Sequence, residues 1–166
     1  NRRVAPAIRD DSRSDLVAFY STSAERGRQF AAEFGARRSY ADLAEFMADP
    51  EIDAVYVAGP VDRHLPETLA AAAAGKHVLC EKPLTIHLAD AKKVLAAVEH
   101  EDRILMMASK FRFVDDVVKA KGIVDSGILG KVILFENIFC SRVDMRDRWN
   151  SRKEIAGGGV LFDNGT

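Results

Sequence analysis

The run Gly75-Lys76-His77-Val78-Leu79-Cys80 ends in Glu81-Lys82-Pro83, which places a carboxylate, an ammonium and a conformational lock on consecutive residues. A short apolar run ending in charge reads as a buried strand delivering residues to its carboxyl edge, where open α/β sheets bind ligands. An ammonium held there can grip a substrate hydroxyl and steady developing alkoxide charge. Pro83 fixes its own φ and restricts Lys82 to extended conformations, which aims the side chain. A Lys–Glu pair capping a strand at the surface accounts for the same residues without chemistry.

A second candidate is Gly157-Gly158-Gly159-Val160-Leu161-Phe162-Asp163. Three glycines let a backbone approach a ligand or turn sharply. Asp163 then falls in an apolar stretch, where an unpaired charge is costly. It reads as a substrate-site or general-base partner, or as the N-terminal carboxylate of a short helix. A third candidate is Ser21-Thr22-Ser23-Ala24-Glu25-Arg26. In a dinucleotide fold an acidic residue at this strand end binds the ribose hydroxyls. Here the position holds Ser21, and hydroxyls, a helix start and Arg26 suit a phosphate instead. A plain capping box, with Thr22 as cap and Glu25 three residues on, explains the segment equally well. His64 follows Gly59-Pro60 at the end of another strand candidate, also facing the ligand edge. His77 reads as structural, and His87 and His100 as helix-end residues. The Arg142–Lys153 segment reads as a solvated loop, with Trp149 suited to lining a sugar site. No metal-ligand cluster, Ser-His-Asp set or Cys-His set appears.

The elements that position these residues alternate. Strands are predicted at Leu16–Tyr20, Asp53–Ala58, His77–Cys80 and Ile104–Met107, as continuous apolar runs fit a parallel sheet covered on both faces. Helices are predicted from Thr22 to Gly35, Ala41 to Ala48, Pro66 to Ala74 and Leu88 to His100. Alternation of strand and helix is the mark of a doubly wound α/β domain. The pattern changes near Ser109. A helix is predicted over Phe113–Ser126 and a longer, partly polar strand over Val132–Ser141, so a domain boundary is placed at residues 108–112.

Composition limits the function classes. The chain has 166 residues with 48% hydrophobic and 30% charged, which is enough for one unstapled core. Its 24 basic and 25 acidic residues leave a net charge of -1, with no support for a nucleic-acid groove or an anionic membrane surface. No apolar run approaches a spanning helix, and the start lacks a signal peptide's apolar stretch. Cys80 and Cys140 make no disulfide framework, so a reducing, cytoplasmic setting is expected.

Taken in order, five segments resemble the glucose–fructose oxidoreductase / inositol dehydrogenase / rhizopine-catabolism (Gfo/Idh/MocA) family. They are Asp53 to Pro60 with His64, Ala74 to Leu84, Phe111-Arg112-Phe113, Ser126 to Val132, and Gly157-Gly158-Gly159 with Asp163-Asn164-Gly165. The resemblance implies a Rossmann domain binding NAD or NADP over residues 1–108. Residues 109–166 would begin an α/β domain with a mostly antiparallel sheet. It implies a sugar, inositol or related polyol as substrate. Lys82 would contact substrate and nicotinamide, Asp163 would belong to the substrate site, and Pro60, His64, Glu81, Pro83 and Arg112 would lie near the cofactor. The family's usual catalytic His falls four residues after the Asp, at position 167, past the last residue. Two departures follow. The family's opening strand and Gly-x-Gly-x-x-Gly turn are missing, with Asn1–Ile8 resembling the helix after that turn, so the chain is expected to be trimmed at both ends. Ser21 replaces the acidic residue, which resembles NADP users and adds Ser21, Thr22 and Arg26 to the cofactor set. The expected activity is hydride transfer between nicotinamide and a sugar-like alcohol. An NAD-dependent glycoside hydrolase and a non-catalytic cofactor-binding or oligomerisation module are the alternatives. Homo-oligomerisation through the second sheet and little turnover by the isolated chain are also expected.

Overall fold

Strand–helix–strand units repeat along residues 18–107. The computed structural model describes residues 3–138, 140, 142 and 144–159. After α1 (Val4–Asp10), β1 (Ala18–Tyr20) runs through α2 (Ala24–Phe34) to β2 (Arg38–Tyr40), and α3 (Leu43–Ala48) leads on to β3 (Ala54–Val57). Helix α4 (Val61–Ala73) joins β3 to β4 (His77–Cys80), and α5 (Leu88–His100) joins β4 to β5 (Leu105–Met107). β1 pairs with β2, and β3, β4 and β5 form a second sheet with β4 in the middle; every pairing is parallel. Parallel neighbours need a crossover, and a helix makes each one. This is the expected α/β class with a parallel sheet.

Alternation along the strands sets the core. Val55 and Val57 point inward beside Val78 and Cys80, and meet Phe46, Met47, Ile52 and Ala71. Ala72, Val94 and Val98 pack where α4 meets α5. Ala5, Leu16 and Phe34 form a third cluster with Phe19 and Phe30 around β1. The two sheets do not pair with each other. Residues Leu16–Thr22 and Asp53–Pro60 instead line opposite sides of one cavity of about 1250 Å³.

Several boundaries differ from the sequence reading. Ser23, not Thr22, caps α2: it is extended (φ -106, ψ 111) and its hydroxyl accepts from the Arg26 N–H. The Ser21 hydroxyl accepts from the Ser23 N–H at 3.2 Å, which moves the helix start one residue on. Gly35 ends α2 in the left-handed region (φ 79), as a C-terminal glycine should. α4 starts five residues before Pro66, which sits inside it. β2 was not anticipated. The strand expected over Val132–Ser141 is absent among the described residues. Ile133 and Phe135 are 93% and 82% exposed there. A strand needs a partner for its N–H and C=O groups, and no described segment supplies one. A 3-10 turn over Lys110–Phe113 leads to α6 (Asp115–Asp125), which buries no residue, and α7 (Lys153–Ala156) returns against α4 through Ala156. Among the described residues no helix is long and apolar enough to cross a membrane.

A buried carboxylate ties β2 to the later turns. The Asp49 side chain, 1% exposed, accepts from the Glu51 N–H at 3.0 Å and from the Tyr40 hydroxyl at 2.9 Å, with Arg38 at 3.4 Å. Lys76 Nζ donates to the Asp49 carbonyl at 2.9 Å. The Glu51 hydrogen bond, with help from Tyr40 and the Arg38 and Lys76 charges, holds the Asp49 carboxyl below the usual range against the opposing pull of burial. A depressed acid stabilises the fold fully above its unfolded value of about 4, and this contribution is lost as pH falls through the lower folded value. Denaturant midpoints of wild type and Asp49→Asn should therefore stay apart from about pH 7 down to about pH 4 and converge only below it. A gap that stays constant with pH would exclude the carboxylate as its source.

Candidate functional site

The carboxyl ends of β1, β3 and β4 carry the candidate residues. Within each parallel sheet the chain leaves its strands toward one edge, and one cavity is lined by residues following both β1 and β3. β1 delivers Ser21 and Thr22, and the first turn of α2 adds Arg26. Ser21, Thr22, Arg26 and Pro60 line the same cavity, with Tyr56, Gly59, Arg63 and Glu67 facing it from β3 and α4. Thr22 and Arg26 are exposed, so both can meet a ligand.

The Glu81-Lys82-Pro83 turn leaves β4 under several restraints. The Glu81 N–H donates to the Val57 carbonyl at 2.9 Å, and the Cys80 carbonyl accepts from the Ala108 N–H at 2.7 Å. The Glu81 carboxylate accepts from the Lys82 N–H at 3.2 Å and from the Tyr56 hydroxyl at 2.6 Å. The Lys82–Pro83 peptide bond is cis. His64 is 1% exposed. Its Nδ1 lies 2.8 Å from the Pro83 carbonyl and its Nε2 3.0 Å from the Gly59 carbonyl. A neutral imidazole has one N–H, so His64 donates to one of these carbonyls and packs against the other where the two loops leaving β3 and β4 meet.

Electrostatics separate these groups. Burial, and then the Glu81 carboxylate, push the Tyr56 phenol far above its usual range, so it stays a donor. Burial also raises the Glu67 carboxyl, an effect eased by the Arg63 charge. The Cys80 thiol is pushed up to about 11, mainly by burial, which makes it packing rather than a nucleophile. Among the described residues no group of three or more His, Cys, Asp or Glu side chains could hold a metal ion.

Of the sequence candidates, the structure gathers Ser21, Thr22, Arg26 and Pro60 around the cavity, and links Glu81, Lys82, Pro83 and His64 by hydrogen bonds. Arg112 sits exposed in the turn after β5 and does not line the cavity. Asp163 lies outside the described residues. Trp149, named as a sugar-lining candidate, borders the cavity with Ile155. Tyr56 was missed. Alternation along β3 carried the signal, since Tyr56 points opposite to Val55 and Val57 and brings a polar tip to the strand end.

Ser21, Thr22 and Arg26 add hydroxyls and a guanidinium to a cavity lined otherwise by apolar side chains such as Phe19, Phe46, Val55 and Val57. Residues 1–109 match the sequence profile of an oxidoreductase family with an NAD-binding Rossmann fold. The chain is 36% identical over 155 residues to 1,5-anhydro-D-fructose reductase of Ensifer adhaerens, covering 90% of this chain and 45% of that protein. It is 33% identical over 153 residues to scyllo-inositol 2-dehydrogenase (NADP(+)) of Bacillus subtilis (strain 168), covering 88% of this chain and 46% of that one. The crystal structure of aldose-aldose oxidoreductase from Caulobacter crescentus, complexed with glycerol, matches with a TM-score of 0.82 at 29% identity. That match covers 98% of this chain and 50% of the other. The chain spans about half the length of these relatives.

Proposed function

The chain belongs to the Gfo/Idh/MocA oxidoreductase family, and from that premise we propose that the whole protein is an NAD(P)-dependent oxidoreductase acting on a sugar, inositol or related polyol. The observation that supports this most is the Lys82 turn, held by Glu81 and His64 at the carboxyl end of β4, with Ser21, Thr22 and Arg26 among the residues lining the cavity beside β1. The nicotinamide, when bound, supplies the redox chemistry. The chain supplies position and field. Lys82 holds the reacting oxygen of the substrate and offsets its charge. Ser21, Thr22 and Arg26 hold the nucleotide, and Pro60 borders it. Asp163 is assigned to a substrate hydroxyl. Residues 1–108 form the dinucleotide-binding unit and residues 109–166 begin the substrate and oligomerisation unit.

Ser21 in place of an acid favours NADP, because a carboxylate there would repel a ribose phosphate. Calorimetric titration should show tighter binding of NADP than of NAD. Arg26→Ala should weaken NADP by about tenfold and leave NAD within about twofold, as loss of one charge-assisted contact predicts. Tighter binding of NAD by the wild type would refute the preference. For the activity itself, incubation with sugars and inositols should give NADPH in proportion to substrate oxidised. Release of sugar from an aryl glycoside with no net NADPH change would overturn the oxidoreductase reading in favour of hydrolysis.

A further inference from the structure

We infer that Tyr56 is a positioning residue for Lys82, acting through the Glu81 carboxylate; this rests on the reading of Lys82 as the group that holds the reacting oxygen. Tyr56 belongs to both halves of the site. Its residue lines the cavity, and its hydroxyl donates to Glu81 Oε1 at 2.6 Å. The other oxygen of that carboxylate accepts from the Lys82 N–H at 3.2 Å. A carboxylate on a flexible side chain can rotate away from a peptide N–H. Tied at its second oxygen to a phenol on the neighbouring strand, it cannot do so without breaking a short hydrogen bond.

The register makes this tie specific. β3 and β4 pair Tyr56 with Leu79 and Val57 with Cys80, so the Tyr56 ring lies beside the strand end that releases Glu81. On the far side of Lys82, His64 Nδ1 lies 2.8 Å from the Pro83 carbonyl. The peptide carrying the ammonium is thus fixed before and after Lys82, by residues from two different elements. Displacements of about 1 Å at a reacting group can cost about a hundredfold in rate, so holding this peptide has kinetic value. The phenol remains protonated and a donor across the working pH range.

Tyr56→Phe tests the idea, since it deletes the hydroxyl and keeps the ring. In the whole protein kcat should fall about tenfold, with KM for the sugar and Kd for NADP within about twofold and Tm nearly unchanged. A second readout needs no turnover and uses the 166-residue chain itself. The acetylation rate of Lys82, read by peptide mass spectrometry with acetic anhydride, should change at least about threefold in Tyr56→Phe, as a redirected amine requires, while Lys92 and Lys119 keep theirs. Unchanged kcat, or an unchanged Lys82 rate, overturns the inference. So does a rise in KM with no loss of kcat. Lys82→Ala in parallel separates the two readings. If Lys82→Ala abolishes turnover and Tyr56→Phe spares it, the positioning role alone fails. If Lys82→Ala itself spares turnover, the reading of the site fails.

Discussion

Lys82→Ala is expected to lower kcat of the whole protein by about 10²–10⁴-fold, while Kd for NADP changes by less than about tenfold. The asymmetry follows from the turn's construction. Its main chain is held by the Lys82 N–H on the Glu81 carboxylate and by His64 against the Pro83 carbonyl, neither of which uses the ammonium. The groups proposed to hold the nucleotide, Ser21, Thr22 and Arg26, lie after β1 and at the start of α2, remote along the chain from the substitution. Removing the amine therefore strips charge stabilisation from the reacting oxygen and leaves the cavity intact. Lys82→Met keeps most of the volume and should be as inactive as Ala. Lys82→Arg should not rescue, because a planar guanidinium cannot occupy the place of a compact ammonium. Steady-state kinetics with saturating NADP and sugar decide it. Turnover within about twofold of wild type would remove Lys82 from the chemistry.

His64→Leu should produce the largest loss of stability among the site residues. The imidazole is buried against two carbonyls from different loops, at 2.8 Å and 3.0 Å. Leucine fills similar space but offers no hydrogen, and the carbonyl that loses the ring's single N–H costs about 1–3 kcal/mol. Each kcal/mol corresponds to about 2–4 °C in Tm for a chain of this size. Unfolding by heat or urea should show the loss, and nucleotide affinity should fall with it because the Gly59 loop loses its tie to β4. His64→Gln, whose amide can donate, should recover part of both. A His64→Leu variant as stable as wild type would show that the ring is not a brace.

Much of this was legible in the chain. α5 was readable to the residue, Leu88 to His100, because Val94 and Val98 repeat at helical spacing between a polar start and Glu101. β4 and the turn after it were legible because four apolar residues end abruptly in charge. β2 was not, because Arg38-Ser39-Tyr40 has no apolar run. It becomes a strand by pairing beside β1 and by the Asp49 contacts of Arg38 and Tyr40. The strand expected at Val132–Ser141 shows the converse. Apolar alternation makes a strand only beside a partner. The cap of α2 moved by one residue because adjacent hydroxyls at Ser21, Thr22 and Ser23 compete for the same N–H groups, and propensity does not rank them. The sequence reading put His64 after a strand end, facing the ligand edge; its ring lies buried in α4 between two loop carbonyls, which no pattern of types reveals.

The pairing of the sheet has a dynamic consequence. β4 is hydrogen-bonded on both sides, to β3 and to β5. Backbone groups shielded by two ladders open only when much of the domain opens, while those on a single ladder fray at lower cost. Lys82 thus leaves the chain two residues past a strand that opens only with much of the domain. The peptide that carries its ammonium is tethered to the part of the backbone that breathes most slowly.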